Sequence, residues 1–195
     1  MNINKQLFLI LLMPLLLTGC AAAVIGAGAA AGTTATVAHD RRTTGTFIED
    51  QVIELKAVKS FFLDKEINDS SHINVTSINT VVLITGETPG EDIRNRIVNI
   101  VRDIPKVTHV YDELTIAAPS SWTSRSSDTL ITAKVKTRLL TLKDFDGGIR
   151  VKIVTEKGVV YLMGLLTRAE SDFATGAAQQ SGGVQKVVKL FQYID

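Results

Sequence analysis

The feature that most limits how this chain of 195 residues can fold is an internal repeat. The segments 71–86 and 149–164 align without a gap, and each ends on a glycine. In both segments apolar residues alternate with polar ones up to a two-residue turn, which is Asn79-Thr80 in one and Lys157-Gly158 in the other, and a denser apolar run follows. This pattern is typical of a β-hairpin with one covered face. The chain is therefore predicted to contain two copies of one small α+β domain.

The first copy is predicted to have the element order α-β-β-α-β. Its first helix covers 49–63, beginning with acidic residues and continuing with apolar residues at helical spacing. The hairpin follows over 73–86, Thr88 caps a second helix that Pro105 ends, and a third strand covers 107–116.

The second copy shows the same order. Asp128 caps a first helix that ends near Leu142, the hairpin comes next, a second helix follows Thr167, and the last strand covers 184–194. A Ser-rich composition with one proline marks 117–127 as the linker between the copies. The predicted division of the chain is a signal peptide (1–19), a tether (20–46), a first domain (47–116), the linker (117–127) and a second domain (128–195).

The repeated glycines, Gly86 and Gly164, are given a structural role. Each is expected to end a strand at a place where a side chain would obstruct the next helix.

Composition and motifs exclude several classes of function. The chain carries 21 basic and 20 acidic residues, so its overall charge gives no reason to expect a nucleic-acid partner. A single cysteine excludes an internal disulfide and any multi-cysteine metal site. There is no recognisable Ser-His-Asp nucleophile motif, Walker motif or zinc signature, so no enzyme is predicted. The three histidines have no carboxylate or cysteine at ligand spacing and are expected to be ordinary surface or edge residues, so no metal is predicted: they are His39, His72 and His109.

The N-terminus has the features of an export signal. Lys5 precedes an apolar segment, 7–17, that is too short to span a bilayer as a mature helix. The tetrapeptide 17–20, Leu-Thr-Gly-Cys, resembles the lipobox of bacterial lipoproteins. That resemblance implies cleavage before Cys20 and a covalent diacylglycerol and N-acyl chain on this cysteine, with no other cofactor. By resemblance to Gram-negative lipoproteins, Ala21 in place of aspartate implies export to the outer membrane. The alternative to the lipobox interpretation is an ordinary secreted protein that has a cysteine near its cleavage site.

The segment 21–38 consists of small and apolar residues without charge. It does not match a dinucleotide-binding loop, because Ala31 stands where that motif requires its third glycine. A flexible linker and a small-residue helix lying on or in the membrane both stay open. The pair Arg41-Arg42 follows the cleavage site and is expected to lie near lipid headgroups.

Two segments of the second copy carry a family resemblance: 128–140, Asp-Thr-Leu-Ile-Thr-Ala-Lys-Val-Lys-Thr-Arg-Leu-Leu, and 158–167, Gly-Val-Val-Tyr-Leu-Met-Gly-Leu-Leu-Thr. With the α-β-β-α-β order they resemble the BON domain, and with the lipobox and tether they resemble the two-BON outer-membrane lipoproteins of Gram-negative bacteria. The resemblance implies two tandem BON domains, each a three-stranded mixed sheet with two helices on one face. It also implies a role in outer-membrane integrity, envelope stress and cell division.

The same resemblance implies that anionic phospholipid binds at the first helix of the second domain. One departure from the family is Leu130, which stands where the family has a tryptophan.

The two first helices carry opposite charge. Residues 49–66 contain five acids and three lysines, a net charge of −2, whereas 129–143 contains four basic residues and no acid, a net charge of +4. Homologous elements of opposite charge are expected to have different partners.

In the basic helix, one face should cover the sheet, and it contains Ile131, Val135, Leu139 and Leu142. Leu130 and Leu140 fall outside that face and are flanked by cations. Exposed leucines between cations suit a helix on a membrane surface, and the alternative is a solvated charged face with an incidental leucine. The predicted phospholipid-binding residues are Leu130, Lys134, Lys136, Arg138, Leu140 and Lys143.

Two hypotheses for function follow. The first is a non-enzymatic, outer-membrane-anchored lipoprotein facing the periplasm, whose second domain binds anionic phospholipid, either phosphatidylglycerol or cardiolipin. The second is a periplasmic scaffold that binds outer-membrane assembly machinery or regulators of cell-wall hydrolases. Neither hypothesis includes a nucleic-acid partner.

Overall fold

The computed structural model describes residues 40–142, 145 and 150–195. Cys20, the segment 21–38, His39 and Lys143 lie outside the described residues, so the interpretations given to them stay predictions. Asp40–Asp195 form one compact unit that contains both copies of the repeat.

The first domain packs its helices on one face of a three-stranded sheet. Its elements, in chain order, are α1 (Thr44–Leu63), α2 (Lys65–Ser70), β1 (His72–Ile78), β2 (Val81–Thr88), α3 (Glu91–Arg102) and β3 (His109–Ile116). The strands lie in the order β1-β2-β3, with β1 antiparallel and β3 parallel to β2. The mixed sheet is the one that the family resemblance implies, and the short α2 is an addition that the sequence pattern does not predict.

The second domain repeats the strands and the two long helices of this arrangement. Its elements are α4 (Trp122–Thr141), β4 (Lys152–Glu156), β5 (Val159–Leu166), α5 (Arg168–Gln179) and β6 (Lys186–Tyr193). Again the central strand, β5, is antiparallel to β4 and parallel to β6. The predicted α+β class and the tandem organisation are confirmed.

Two-residue turns close both hairpins, as predicted. Asn79 and Thr80 have φ of 51° and 65°, and Lys157 and Gly158 have φ of 50° and 75°. Positive φ at both central positions is the signature of a type I′ turn, whose backbone twist matches that of the strands it joins.

One buried acid from the first helix of each domain holds the hairpin turn of that domain. Asp50 of α1 accepts hydrogen bonds of 2.8 Å from the backbone N–H groups of both turn residues, Asn79-Thr80. Asp128 of α4 accepts bonds of 2.9 and 2.8 Å from the N–H groups of Lys157-Gly158. A buried carboxylate with charge-assisted hydrogen bonds of this kind fixes the helix on the hairpin.

Both first helices begin earlier than predicted. The hydroxyl of Thr43 caps α1 by accepting from the N–H of Thr46 at 3.1 Å, and the hydroxyl of Ser121 caps α4 by accepting from the N–H of Ser124 at 3.3 Å. The prediction that Asp128 caps a helix is wrong, because Asp128 lies within α4 and its buried carboxylate binds the hairpin turn instead. The Ser-rich residues before it, which have the composition of a linker, form the first turns of α4.

The second helices begin in different ways. Thr88 does not cap α3, because it is the last residue of β2, and α3 begins after Gly90 without a side-chain cap. In α5, by contrast, Thr167 accepts from the N–H of Glu170 while the Glu170 carboxylate accepts from the N–H of Thr167, which is a capping box.

Gly86 and Gly164 are structural for a different reason from the predicted one. They lie inside β2 and β5, not at the ends of these strands. Gly86 has φ of 122°, and a Cβ there would collide with the backbone carbonyl oxygen of His72; a Cβ at Gly164 would lie 2.6 Å from the carbonyl oxygen of Arg150. The obstruction is therefore the antiparallel neighbouring strand rather than the next helix.

The central strands are covered on both faces, which corrects the expectation of one covered face. In β2, Val82 and Ile84 pack under the helices, whereas Leu83 between them faces the other domain. A dense apolar run is what a strand buried on both faces requires. The buried cluster between the two sheets consists of Ile78, Leu83, Tyr161, Met163 and Leu190. The unit therefore has four layers: helices, sheet, sheet and helices.

Polar contacts also join the two sheets. The side-chain amide of Asn79 donates to Oε1 of Gln192 at 2.6 Å, and Nε2 of Gln192 donates to the carbonyl oxygen of Ile78 at 3.2 Å. The hydroxyl of Tyr161 donates to a carboxylate oxygen of Glu113 at 3.2 Å. These directional bonds fix how the first sheet sits on the second.

Candidate lipid-binding surface

The orientation of α4 is set by its apolar side. Ile131, Val135 and Leu139 are buried against the second sheet, as predicted. The opposite side is therefore turned outward, and it leaves Leu130 62% and Leu140 52% exposed. The two leucines predicted to face a membrane are thus exposed and accessible to a membrane surface.

The predicted cations of α4 are not equivalent. Lys134 and Lys136 are exposed, and a shallow groove of about 670 Å³ includes Leu130 and Lys134 in its lining. Arg138 is also exposed, but its guanidinium donates to the carbonyl oxygen and to Oε1 of Gln180, at 3.1 and 2.7 Å. Arg138 therefore ties α4 to the end of α5, which leaves the two lysines as the freer cations of this surface.

The sequence reasoning missed Trp122. It is the only tryptophan of the chain, and it lies in the first turn of α4 with 80% of its surface exposed and the Arg125 guanidinium 4.4 Å from the ring centroid. Leu140 follows 18 residues later (140 − 122), which is about five full turns, so both side chains project from the same side. An indole prefers the membrane–water interface. The surface thus has a tryptophan although Leu130 replaces the one of the family.

The first helix of the other domain presents a larger apolar face. The sequence pattern predicts one apolar side for α1, but the structure shows two on opposite sides of the helix. Ile53, Ala57 and Phe61 are buried against the first sheet. The exposed side contains Ile48, Val52, Leu55, Val58, Phe62 and Leu63, each more than 40% exposed. None of the described helices is both long and apolar enough to cross a membrane, so this is a surface feature.

The exposed faces of α1 and α4 point in opposite directions. The two sheets pack on each other, and each helix covers the far face of its own sheet. Because the exposed side of each helix is turned away from its sheet, a flat bilayer in contact with one of these faces does not reach the other.

The expectation that Arg41-Arg42 lies near lipid headgroups is wrong for their guanidinium groups, which form ion pairs within the protein. Arg42 pairs with Asp40 at 2.6 Å and with the buried Asp50 at 2.7 Å. Arg41 binds Glu170 of the second domain at 2.6 Å. These pairs fix the start of the first domain against both α1 and α5.

Glu170 lies at the centre of these contacts. Its carboxylate binds Arg41, Arg150 and the N–H of Thr167 at distances of 2.6 to 2.8 Å. Partial burial disfavours the charged form, but the hydrogen bonds from Arg41 and Thr167 outweigh it and lower the pKa of Glu170 to about 2.

The described histidines differ in their surroundings. His109 is exposed and packs edge-on against Tyr111, with ring centroids 4.5 Å apart, as an ordinary surface residue would. His72 instead lies beside two buried carboxylates, those of Glu87 and Glu156, that no sequence spacing indicates. They come from three different strands in two domains: the hairpin ladder pairs His72 with Glu87, and the packing of the sheets brings Glu156 to them. Burial and the nearby Glu87 raise the pKa of Glu156.

Comparison with known protein families finds the BON domain twice, over residues 50–118 and 127–195. The chain belongs to the BON family. The two matches coincide with the two structural copies, each a three-stranded mixed sheet with helices on one face.

The chain is also similar to three known proteins over most of its length. The chain is 36% identical over 194 residues to the outer membrane lipoprotein DolP of Haemophilus influenzae, covering 98% of this chain and 97% of the relative. It is 30% identical over 155 residues to a 21 kDa hemolysin of Actinobacillus pleuropneumoniae, covering 80% and 79%. It is 31% identical over 146 residues to the osmotically-inducible protein Y of Escherichia coli, covering 73% and 72%. The resemblance to a two-BON outer-membrane lipoprotein is confirmed.

Proposed function

We propose that this BON protein is an outer-membrane lipoprotein, facing the periplasm, that binds anionic phospholipid through α4 and supports outer-membrane integrity and cell division. The observation that carries the proposal is the outward side of α4, where Trp122, Leu130 and Leu140 are exposed beside Lys134 and Lys136. The location is supported by near full-length similarity to a protein named an outer membrane lipoprotein. Binding of this kind needs no catalytic group.

The expected strength of binding by α4 is modest. Full burial of a leucine contributes about 1.5–3 kcal/mol, and a cation near an anionic surface contributes about 1 kcal/mol. Two partly inserted leucines and two lysines therefore give on the order of 4 kcal/mol, before the loss of motional freedom is subtracted. This is enough to orient an anchored protein and to select headgroups, and it leaves most of the membrane affinity to the acyl chains on Cys20.

The lipid test compares two charge reversals in a soluble chain, residues 40–195. Replacing Lys134 and Lys136 with glutamate should lower affinity for phosphatidylglycerol or cardiolipin liposomes by about thirtyfold or more, because two contributions of about 1 kcal/mol are lost. The matched control replaces Lys56 and Lys59 of α1, which are also exposed, and should change affinity little. Equal loss in both variants, or wild-type binding that ignores salt and headgroup charge, would reject α4 as the lipid-binding surface.

The anchor has its own test. Cys20→Ala should release the protein into the soluble periplasmic fraction, because α4 alone holds it too weakly. Retention of this variant in membranes after a high-salt wash would contradict lipidation at Cys20 as the main attachment.

A second candidate function, protein binding, is favoured by the exposed face of α1. Ile48, Leu55 and Phe62 repeat every seven residues, which is the spacing of a coiled-coil seam, and Lys56 and Lys59 lie beside them. The partner that fits this face is an amphipathic helix of another envelope protein, with an apolar seam and acidic flanks. Outer-membrane assembly proteins and regulators of cell-wall hydrolases are the classes in which we expect it.

The two candidate functions separate in a pair of single variants. Leu55→Glu should leave liposome binding unchanged but fail to restore the outer-membrane barrier in a strain that lacks its own two-BON lipoprotein. Leu140→Glu should lose both properties. If Leu55→Glu lost liposome binding, α1 would be the lipid-binding helix, and if it restored the barrier fully, the protein-binding candidate would be rejected.

A further inference from the structure

Three side chains with metal-binding atoms meet where the two sheets face each other. They are His72 at the start of β1, Glu87 near the end of β2, and Glu156 at the end of β4, and one ligand atom from each lies within 4.8 Å of the other two. His72 and Glu87 are direct partners in the antiparallel ladder of the first sheet. Glu156 directly precedes the hairpin turn whose backbone N–H groups donate to Asp128 of α4. The backbone therefore fixes the position of all three.

The carboxylate of Glu87 is the buried member that lacks a full set of partners. Its side chain has no exposed surface, and Oε1 forms an ion pair with Nζ of Lys157 at 2.9 Å. Ser120 lies beside this carboxylate, but Oε2 accepts no hydrogen bond of good geometry from the described residues. Nδ1 of His72 is also buried, and it makes no such hydrogen bond there either. A buried carboxylate oxygen without a partner costs free energy that a bound cation would recover.

The distance between these two atoms suits a shared metal ion. Nδ1 of His72 lies 3.5 Å from Oε2 of Glu87, which is too long for a good hydrogen bond. Two ligands on a tetrahedral Zn²⁺, with bonds of about 2.0–2.1 Å, are separated by roughly 3.4 Å. The third ligand atom, on Glu156, lies within 4.8 Å of the other two.

The surroundings provide what a metal site needs beyond its ligands. A cavity of about 280 Å³ is lined by His72, Asn74 and Glu156, which leaves room for a water molecule as a fourth ligand. Asn74 donates from Nδ2 to Glu156 at 3.3 Å, and such contacts orient ligating carboxylates. Arg125 also lines the cavity, but its guanidinium stacks on Trp122.

We propose that His72, Glu87 and Glu156 bind one divalent transition-metal ion, with Zn²⁺ as the best match to an imidazole and two carboxylates, and that this ion links the two BON domains. Lys157 keeps its ion pair with Oε1 of Glu87 while Oε2 binds the metal. Since two ligands come from the first domain and one from the second, binding stabilises the contact between the sheets. None of the three ligands belongs to α4, so this proposal does not rest on lipid binding by that helix.

The experiment uses the full acylated chain in detergent, stripped with a chelator and then titrated with Zn²⁺ by calorimetry. We expect one ion per chain, an increase in melting temperature on binding, and a change in the ¹⁵N shift of the His72 ring nitrogens. His72→Ala and Glu156→Gln should each weaken binding at least about tenfold and abolish the thermal shift. His109→Ala is the matched control, because this exposed histidine lies outside the cluster, and it should bind as the wild type does.

Several outcomes would overturn the proposal. They are the absence of Zn²⁺ binding at micromolar concentration, unchanged affinity in both His72→Ala and Glu156→Gln, or a loss confined to His109→Ala. The melting curve of each variant in chelator shows whether it folds, and the His72 ring shifts of the wild type decide the question even if one variant does not.

Discussion

The first helices of the two domains, α1 and α4, occupy the same place in the fold and differ on the side that faces solvent. Each begins at a Ser or Thr cap, is 20 residues long, and directs one buried aspartate to a hairpin turn. Outward, α1 carries six exposed apolar side chains, whereas α4 carries two leucines and a tryptophan among lysines. The inward side is constrained by a single hairpin geometry, so it stays the same, while the outward side is free to acquire different partners.

The shared inward side gives the largest expected effect. Asp50→Ala should destabilise the fold by about 3–5 kcal/mol, because it removes the two turn bonds and the buried bond from the Ser77 hydroxyl, and leaves Arg42 with Asp40 as its one remaining acidic partner. Asp128→Ala removes the two turn bonds only and should cost about 2–3 kcal/mol. Urea unfolding of residues 40–195 measures both. Equal losses would show that the bonds of Asp50 to Arg42 and Ser77 contribute nothing to stability.

The repeated glycines give the next effect. Gly86→Ala should cost about 3 kcal/mol, because φ is positive and the new Cβ meets the backbone of the adjacent strand. Gly164→Ala should cost less, since its Cβ would lie 2.6 Å from the nearest oxygen and a small strand shift relieves the contact. Gly176→Ala in α5 is the control: nothing lies within 4 Å, and it should stabilise by about 0.5–1 kcal/mol. A neutral Gly86→Ala would contradict the steric argument.

The sequence predicted the hairpins and the element order because the side-chain period of two and the positive-φ turns are local signals. It missed the start of α4 because Ser and Thr serve both as linker residues and as helix caps. Trp122 was therefore assigned to the linker and was not considered as part of the helix surface. It predicted one apolar side for α1 where the structure has a buried side and an exposed side. Residues of the two sides are adjacent in sequence, as Val52 and Ile53 are, or Phe61 and Phe62, and the apolar residues of each side recur at a helical spacing. The one sequence signal of the contact between the sheets was the dense apolar runs of β2 and β5, which are typical of strands buried on both faces.

The difference between the exposed sides of α1 and α4 can be tested at Trp122. Trp122→Ala should weaken liposome binding about fivefold, equivalent to roughly 1 kcal/mol for partial insertion of one indole. Phe62→Ala, which removes another highly exposed aromatic side chain, on α1, should leave binding unchanged. Adding Leu130→Trp to the Trp122→Ala variant should restore affinity by placing the indole at the family position. No recovery would show that the two positions do not enter the same membrane region.

The smallest effect concerns the second helices, where α5 has a capping box held by Arg41 and α3 has none. The folded-state pKa of Glu170, about 2, lies below the ordinary glutamate value of 4.5, so its contribution to stability is present above about pH 4.5 and is lost as the pH falls towards 2. Arg41→Ala should therefore destabilise by up to about 1 kcal/mol near pH 7, with the difference from wild type shrinking between pH 4.5 and 2. Arg168→Ala, whose guanidinium stacks on Tyr193 instead, is the control and should show no such change over this pH range. The first turn of α3 contains Glu91 and Asp92 but no capping box, so the second domain alone should show this dependence. If the pH-dependent difference persisted after Glu170→Gln, it would have to arise from another group, and the assignment to the capping box would fail.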